Sequence, residues 1–202
     1  STSYDVDSVV PVITGFDVAG ADGTYGPGDT VFIHAFASKD LIAGSAIRAT
    51  LTNGEVVTLT ADGGGTTLTG SYLVDETDTG STDLDVSSFA LGDGTGGVPA
   101  DQSGNSMTGT TLPTNMIADT QDIAVDTTGP NVTAIERVAA DDSNDDTDGV
   151  TSTTPVTFRV SFSEAVDAST VTVGDFVASN GTVGSVTEDS STLVADAVAG
   201  SG

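Results

Sequence analysis

Val156, Phe158, Val160 and Phe162 alternate with Thr157, Arg159 and Ser161. In an extended chain successive side chains point to opposite faces, so this run specifies a strand with one apolar and one polar face. The same phase occurs earlier, in Val31, Ile33, Ala35 and Ala37, and residues 31–41 align with residues 156–166 at an offset of 125. A second pair of stretches, residues 6–14 and 125–133, shares Val, Asp, Pro and Thr at a constant offset of 119. A strand pattern that returns in this way marks tandem copies of one supersecondary unit. The expected division is residues 1–126 and 127–202, with intervening loops that differ by six residues.

The composition fits strands and turns. Thr, Ser, Gly, Val and Asp dominate, Trp is absent, and long helix formers are scarce. Asn53-Gly54, between the runs ending at Leu51 and starting at Val56, is a two-residue hairpin signal, and Asn180-Gly181 marks a similar turn. Residues 68–74 and 122–125 are further strand candidates, and the apolar positions of residues 83–91 form an inward-packed connection. The expected architecture is all-β: tandem immunoglobulin-like antiparallel β-sandwiches without the disulfide, the second incomplete at its C-terminus because it lacks a counterpart of residues 93–125. The expectation is a fragment of a longer chain; the rival is a sandwich whose missing strands come from another molecule.

Charge excludes several functions. Thirty acidic residues face four basic ones, Lys39, Arg48, Arg137 and Arg159, for a net charge of −26. A basic patch for nucleic acid or for an anionic membrane surface cannot be assembled from this set. There is no cysteine and one histidine, His34, which removes thiol nucleophiles, Cys-ligated zinc and two-histidine metal motifs. No apolar run is long enough to cross a membrane as a helix. His34 lies on the outward phase of its strand beside Phe36, and no G-x-S-x-G pattern is present, so a Ser-His-Asp triad is not expected. The expectation is a protein that is not an enzyme.

Three phrases carry a resemblance. They are Phe162-Ser163-Glu164-Ala165-Val166 at a strand end, Asp101-Gln102-Ser103-Gly104-Asn105 in a loop, and Val125-Asp126-Thr127-Thr128-Gly129-Pro130 in a linker. With them the chain resembles the bacterial immunoglobulin-like repeats strung in tandem along giant surface proteins, including repeats-in-toxin adhesins. The resemblance implies an extracellular or cell-surface spacer, a partner in the neighbouring repeats of its own chain, and calcium at the junctions between domains. Two departures matter: Lys39 stands where the second copy has Glu164, and Ser103 replaces the alanine usual in the loop.

Topology narrows the calcium residues. If the first strand of a domain runs down from its linker, the end of the second strand and the last loop return to the linker end. Glu164 and Asp167 then lie near Asp126, and Asp101 and Asn105 near Asp7. Calcium takes six to eight oxygen ligands, which two or three acidic side chains from different loops begin to supply. The acidic turn at Asp75, Glu76 and Asp78 adds further carboxylates. The junction at Asp126 is the better candidate. At Asp7 the Lys39 ammonium can pair with Asp7 or Asp101 and stand in for the metal's charge. The structural alternative for Asp126 is a turn residue. Residues 141–149 are the densest acidic stretch, but their glycine falls at the wrong place for an EF-hand, and a solvated loop is expected. The readings are, in order, a calcium-stiffened spacer of a surface adhesin, a filament subunit self-associating by strand exchange, and a ligand-binding adhesin module.

Overall fold

The computed structural model describes residues 6–94, 97–138, 156–179 and 181–188, and the backbone of 194–200. The chain divides into two compact units, Ser1–Thr128 and Gly129–Gly202. Among the described residues there is no α-helix, only strands and two short 3-10 turns, Ile117–Asp119 and Val173–Asp175.

The first unit holds β1 (Ile13–Val18), β2 (Gly23–Tyr25), β3 (Thr30–Leu41), β4 (Ala46–Leu51), β5 (Val56–Thr60), β6 (Gly65–Leu73), β7 (Val86–Leu91) and β8 (Ile123–Val125). Six of them form one antiparallel sheet in the order β1-β3-β6-β5-β4-β7. The strand β3 has the alternation expected from its sequence, with Val31, Ile33, Ala35 and Ala37 all buried. It pairs with β6 from Thr30 to Phe36, whereas β5 meets β6 at a single register pair, Thr60↔Thr69. A Cβ on Gly70 would lie 2.4 Å from the Thr58 carbonyl oxygen, so glycine is required at this close crossing.

The sheet curls on itself. Its two edge strands are β1 and β7, yet the rings of Phe16 and Phe89 meet edge-to-face with centroids 6.0 Å apart. One half of the sheet thereby covers the other. Phe16, Ile33 and Leu68 from one side, and Ile47, Leu51, Leu59 and Val86 from the other, share one core. Burying each such side chain contributes about 1.5–3 kcal/mol. The remaining strand, β8, runs parallel to β2 and is held on its other side by the backbone of Ser81 and Leu84. Ile123 and Val125 of β8 point into the same core.

Two local expectations differ from what is found. Residues 83–91 contain a strand, β7, and not merely a connection. Its apolar residues lose the two-residue phase because Ser87 is bulged out where β7 pairs with β4, which turns both Val86 and Phe89 inward. The turn at Asn53-Gly54 is also longer than two residues. The Gly54 N–H bonds the Leu51 carbonyl (3.0 Å) and the Leu51 N–H bonds that of Glu55 (2.7 Å), leaving Thr52 to Gly54 in the loop. Only Gly54 has a positive φ, +97°, whereas a two-residue turn of type I′ needs two such residues.

The second unit holds β9 (Val132–Arg137), β10 (Val156–Phe162), β11 (Thr182–Glu188) and β12 (Val194–Gly200), in one antiparallel sheet of order β11-β12-β10-β9. Read from the other edge this is β9-β10-β12-β11, the chain-order pattern of β1-β3-β6-β5. The acidic residues 141–149 and Asn180 of the second Asn-Gly pair lie outside the described residues.

Core and surface aromatics should separate cleanly in urea denaturation of the full chain. Phe16→Ala, at a fully buried position, is expected to cost the first unit about 3–5 kcal/mol. Phe32→Ala, at a position 52% exposed on the same sheet, should cost about 0.5 kcal/mol or less.

Candidate functional site

At the N-terminal approach to the first unit, three segments meet around one ammonium group. The strand β3 contributes Lys39, just before its end at Leu41, where the pairing with β6 is irregular. The approach segment lies beside β3, held by the Ser38 N–H on the Val12 carbonyl (2.9 Å) and by the Val12 N–H on Ser38 Oγ (3.1 Å). Residues 101–105 form the third segment. A bridge between Leu41 and Asp101 sets this loop against the end of β3, and Gln102 Nε2 donates to the Leu41 carbonyl at 2.6 Å.

Lys39 Nζ donates to both oxygens of Asp7, at 2.7 and 2.6 Å, to Asp101 Oδ2 at 2.9 Å, and to the Val9 carbonyl. Its three protons are thus spread over four oxygens. Asp101 is 3% exposed and fully engaged. Its Oδ1 accepts the backbone N–H groups of Ser103 (3.0 Å) and Asn105 (2.8 Å), and its Oδ2 accepts Lys39 and Asn105 Nδ2 (3.0 Å). Asn105 Nδ2 also reaches the Asp7 carbonyl at 3.3 Å. The turn closes through Gly104, whose φ of +86° suits glycine.

These contacts bias every charge toward its ionised form. Hydrogen bonds from Lys39, then Asn105, hold the Asp101 carboxyl far below the usual carboxylate range. Lys39 and the Val9 amide lower Asp7, and the two carboxylates raise Lys39. The arrangement is an electrostatic latch that pins the approach segment to the loop and to β3.

Three of the six expected calcium residues, Asp7, Asp101 and Asn105, are therefore brought together, with a lysine among them. The other three sit in separate turns. Asp126 is exposed and its Oδ1 accepts the Thr128 N–H at 2.9 Å, the turn geometry of an aspartate that caps its own backbone. Asp167 does the same for Ser169, whose hydroxyl and N–H lower its pKa. Glu164 is half-buried, and its Oε1 is closed off from solvent without a hydrogen-bond partner among the described residues. Asp126 belongs to the first unit, and Glu164 and Asp167 to the second. Among the described residues no three His, Cys, Asp or Glu side chains converge as a metal-holding group.

Elsewhere in the first unit, Asp75 and Asp78 close a turn. Asp75 Oδ1 accepts Thr77 (3.1 and 3.0 Å), and Asp78 Oδ2 accepts the Asp75 N–H (2.8 Å) and the Tyr72 hydroxyl (2.7 Å). Burial and the adjoining Asp78 push the Tyr72 phenol up. The Asp78 carbonyl accepts the Thr127 hydroxyl at 2.9 Å, tying this turn to the linker. His34 Nδ1 lies 3.0 Å from Asp17 Oδ1, and its ring stands edge-on to Phe36. Sequence reasoning missed the Val9 carbonyl and the Gln102 bond; the signal available was the position of Val9 two residues after Asp7, within one turn of it. No known protein family matches the chain, and no curated protein matches it.

The latch predicts a pH window. Depressed aspartate pKa values stabilise the fold above their ordinary value of 3.8, and this is lost as pH falls below it. A raised lysine pKa stabilises below 10.5, and this is lost as pH rises above it. Thermal melts of the parent chain and Lys39→Ala should therefore differ most between these limits, with the variant lower, and converge at both extremes. By NMR titration, the Asp101 pKa should rise in the variant.

Proposed function

We propose that the chain is a non-enzymatic spacer of tandem immunoglobulin-like β-sandwich repeats, displayed outside the cell on a surface adhesin, with calcium stiffening the junction that carries no lysine. The observation that carries this reading is the duplicated sheet, β1-β3-β6-β5 and β9-β10-β12-β11, built from two stretches of one chain. The distribution of the other strands supports the sandwich. An immunoglobulin sandwich places its first, second, fifth and fourth strands in one layer and its third, sixth and seventh in the other. Setting aside the short β2, the first unit supplies β1, β3, β6 and β5 for the one, and β4, β7 and β8 for the other. Continuity through the β4–β5 hairpin makes them one curled sheet.

Calcium enters through the equivalence of the two junctions. Asp7 corresponds to Asp126, and Lys39 to Glu164. Where the lysine is present, its ammonium neutralises the carboxylates gathered there. Where Glu164 takes the lysine's place in the sequence, a divalent cation with several oxygen ligands would balance Asp126, Glu164 and Asp167. Without the ion, like charges repel and the linker bends more freely.

Thermal melts at fixed ionic strength test this directly, because a ligand that binds only the folded state raises the midpoint. Calcium is expected to raise it and excess chelator to reverse the rise, with magnesium as the control for screening. Equal effects of the two cations, or none, would reject the calcium-stiffened spacer. Asp126→Ala should abolish the calcium response. A second experiment addresses the lysine: Lys39→Glu makes the first junction resemble the second, and isothermal titration should find one additional calcium bound per chain. Unchanged stoichiometry would refute the idea that Lys39 occupies the place of the metal.

A further inference from the structure

The Asn53-Gly54 pair carries a reactivity that the spacer reading does not use. A glycine nitrogen has no side chain beside it, and it can close on the side-chain amide of the asparagine before it. The Gly54 N–Asn53 Cγ bond forms, the Cγ–Nδ2 bond breaks, and ammonia leaves with the proton that the glycine nitrogen gives up. Water then opens the cyclic imide at either carbonyl, which leaves aspartate or isoaspartate. Asn105, Asn115 and Asn131 precede Ser106, Met116 and Val132, whose side chains hinder the same attack. At the turn, Thr52 and Gly54 are exposed, so water reaches it.

Both reacting groups are held. The Gly54 N–H donates to the Leu51 carbonyl at 3.0 Å, and Asn53 Oδ1 accepts the Glu55 N–H at 3.3 Å. Asn53 Nδ2 donates to the Tyr72 hydroxyl at 3.0 Å, which gives its own proton to Asp78 Oδ2 at 2.7 Å. Tyr72 is 5% exposed on β6, so the amide is tied to a group anchored in the core. Ring closure needs the Gly54 nitrogen stripped of its proton and the Asn53 side chain swung onto it, so the Leu51 and Tyr72 bonds both have to open. The same contacts respond to the product. The phenol has one proton, already given to Asp78; an aspartate at position 53 removes a donor and sets a second carboxylate against the same oxygen. The Asp78 carbonyl accepts the Thr127 hydroxyl, so the turn that is loosened is the one that holds the linker.

We propose that Asn53 is a modification site, an amide open to hydrolytic conversion to aspartate and isoaspartate, which the Tyr72 hydroxyl guards in the folded chain and whose conversion opens the Tyr72–Asp78 clasp. The folded chain converts through brief local openings of the turn, and each bond that must break makes those openings rarer. One hydrogen bond of this kind slows the conversion about two- to tenfold. The site depends on neither the repeat reading nor calcium.

The test is peptide mapping by mass spectrometry of the full chain, aged in mildly alkaline buffer with chelator, alongside samples in urea that give the rate of the unfolded chain. Asn53 should convert in urea, and more slowly in buffer. Tyr72→Phe keeps the ring in the core and removes only the hydroxyl; it should raise the rate in buffer about two- to tenfold and leave the rate in urea unchanged. Ile13→Ala weakens the same core on β1, which pairs with β3 and not with the strands of this turn, and should leave Asn53 near the parent rate. No conversion in urea overturns the proposal, as does conversion equally fast in buffer and urea, Tyr72→Phe without acceleration, or Ile13→Ala accelerating as much. Urea midpoints read the consequence. Asn53→Asp should lower the midpoint of the parent, and lower it less in the Tyr72→Phe background, where the shared phenol is gone. An equal drop in both backgrounds would refute the clasp.

Discussion

An apolar sheet face needs a cover, and in the first unit the sheet supplies its own. Phe16 and Phe89 stand on strands at opposite edges of a six-stranded sheet and nevertheless touch. Everything else in the unit depends on that closure. It makes the inward residues of β3 a core, it aligns the end of β3 with the loop at residues 101–105, and it leaves room for β8 to complete the cover. The closure also concentrates the apolar side chains of the first unit, while most of its described acidic residues are exposed to water and counterions and Asp101 is the buried exception.

The same charge explains why a single lysine matters. Lys39 carries one positive charge against the two carboxylates of Asp7 and Asp101, and the Asn105 amide and three backbone N–H groups satisfy most of the remaining lone pairs. A divalent ion would cancel both charges, but it would need six or more oxygens and would leave when its concentration fell. The ammonium is covalently tethered and always present. The Lys39 side chain is 23% exposed, so its ion pairs lose less to salt screening than fully exposed ones. The latch is therefore a permanent fastening of the approach segment to the first unit.

The parts legible from sequence were those governed by local rules. The two-residue period identified β3 and β10 and put the correct residues of β3 inward, and the charge types of Asp7, Lys39 and Asp101, together with strand direction, brought the latch into view. What the sequence hid was set by pairing at a distance. The strand β7 was read as a connection because Val86 and Phe89 are three residues apart, and only the bulge at Ser87, created by pairing with β4, restores them to one face. The burial of Asp101 depends on its bridge to Leu41, sixty positions away, which no local pattern records. For Asp126 and Asp167 the turn geometry is the ordinary behaviour of aspartate, and the sequence contains nothing that separates a capping aspartate from one that also binds an ion.

Closure and connection are the same piece of chain. The last strand of the first unit, β8, is held by β2 through the Gly23 N–H on the Asp122 carbonyl (2.9 Å) and the Asp126 N–H on the Tyr25 carbonyl (3.0 Å). On its other side Ser81 and Val125 exchange two bonds, at 2.8 and 2.7 Å, and the Leu84 N–H bonds the Ile123 carbonyl at 2.7 Å. The residue that follows β8 is the linker aspartate, Asp126, so the exit from the first unit is hydrogen-bonded on both sides. At the other end of the unit, Lys39 binds the approach segment through Asp7 and the Val9 carbonyl, and the Ser38–Val12 bonds lie directly behind it. Both ends are thus anchored by several polar contacts to strands whose opposite faces line the core.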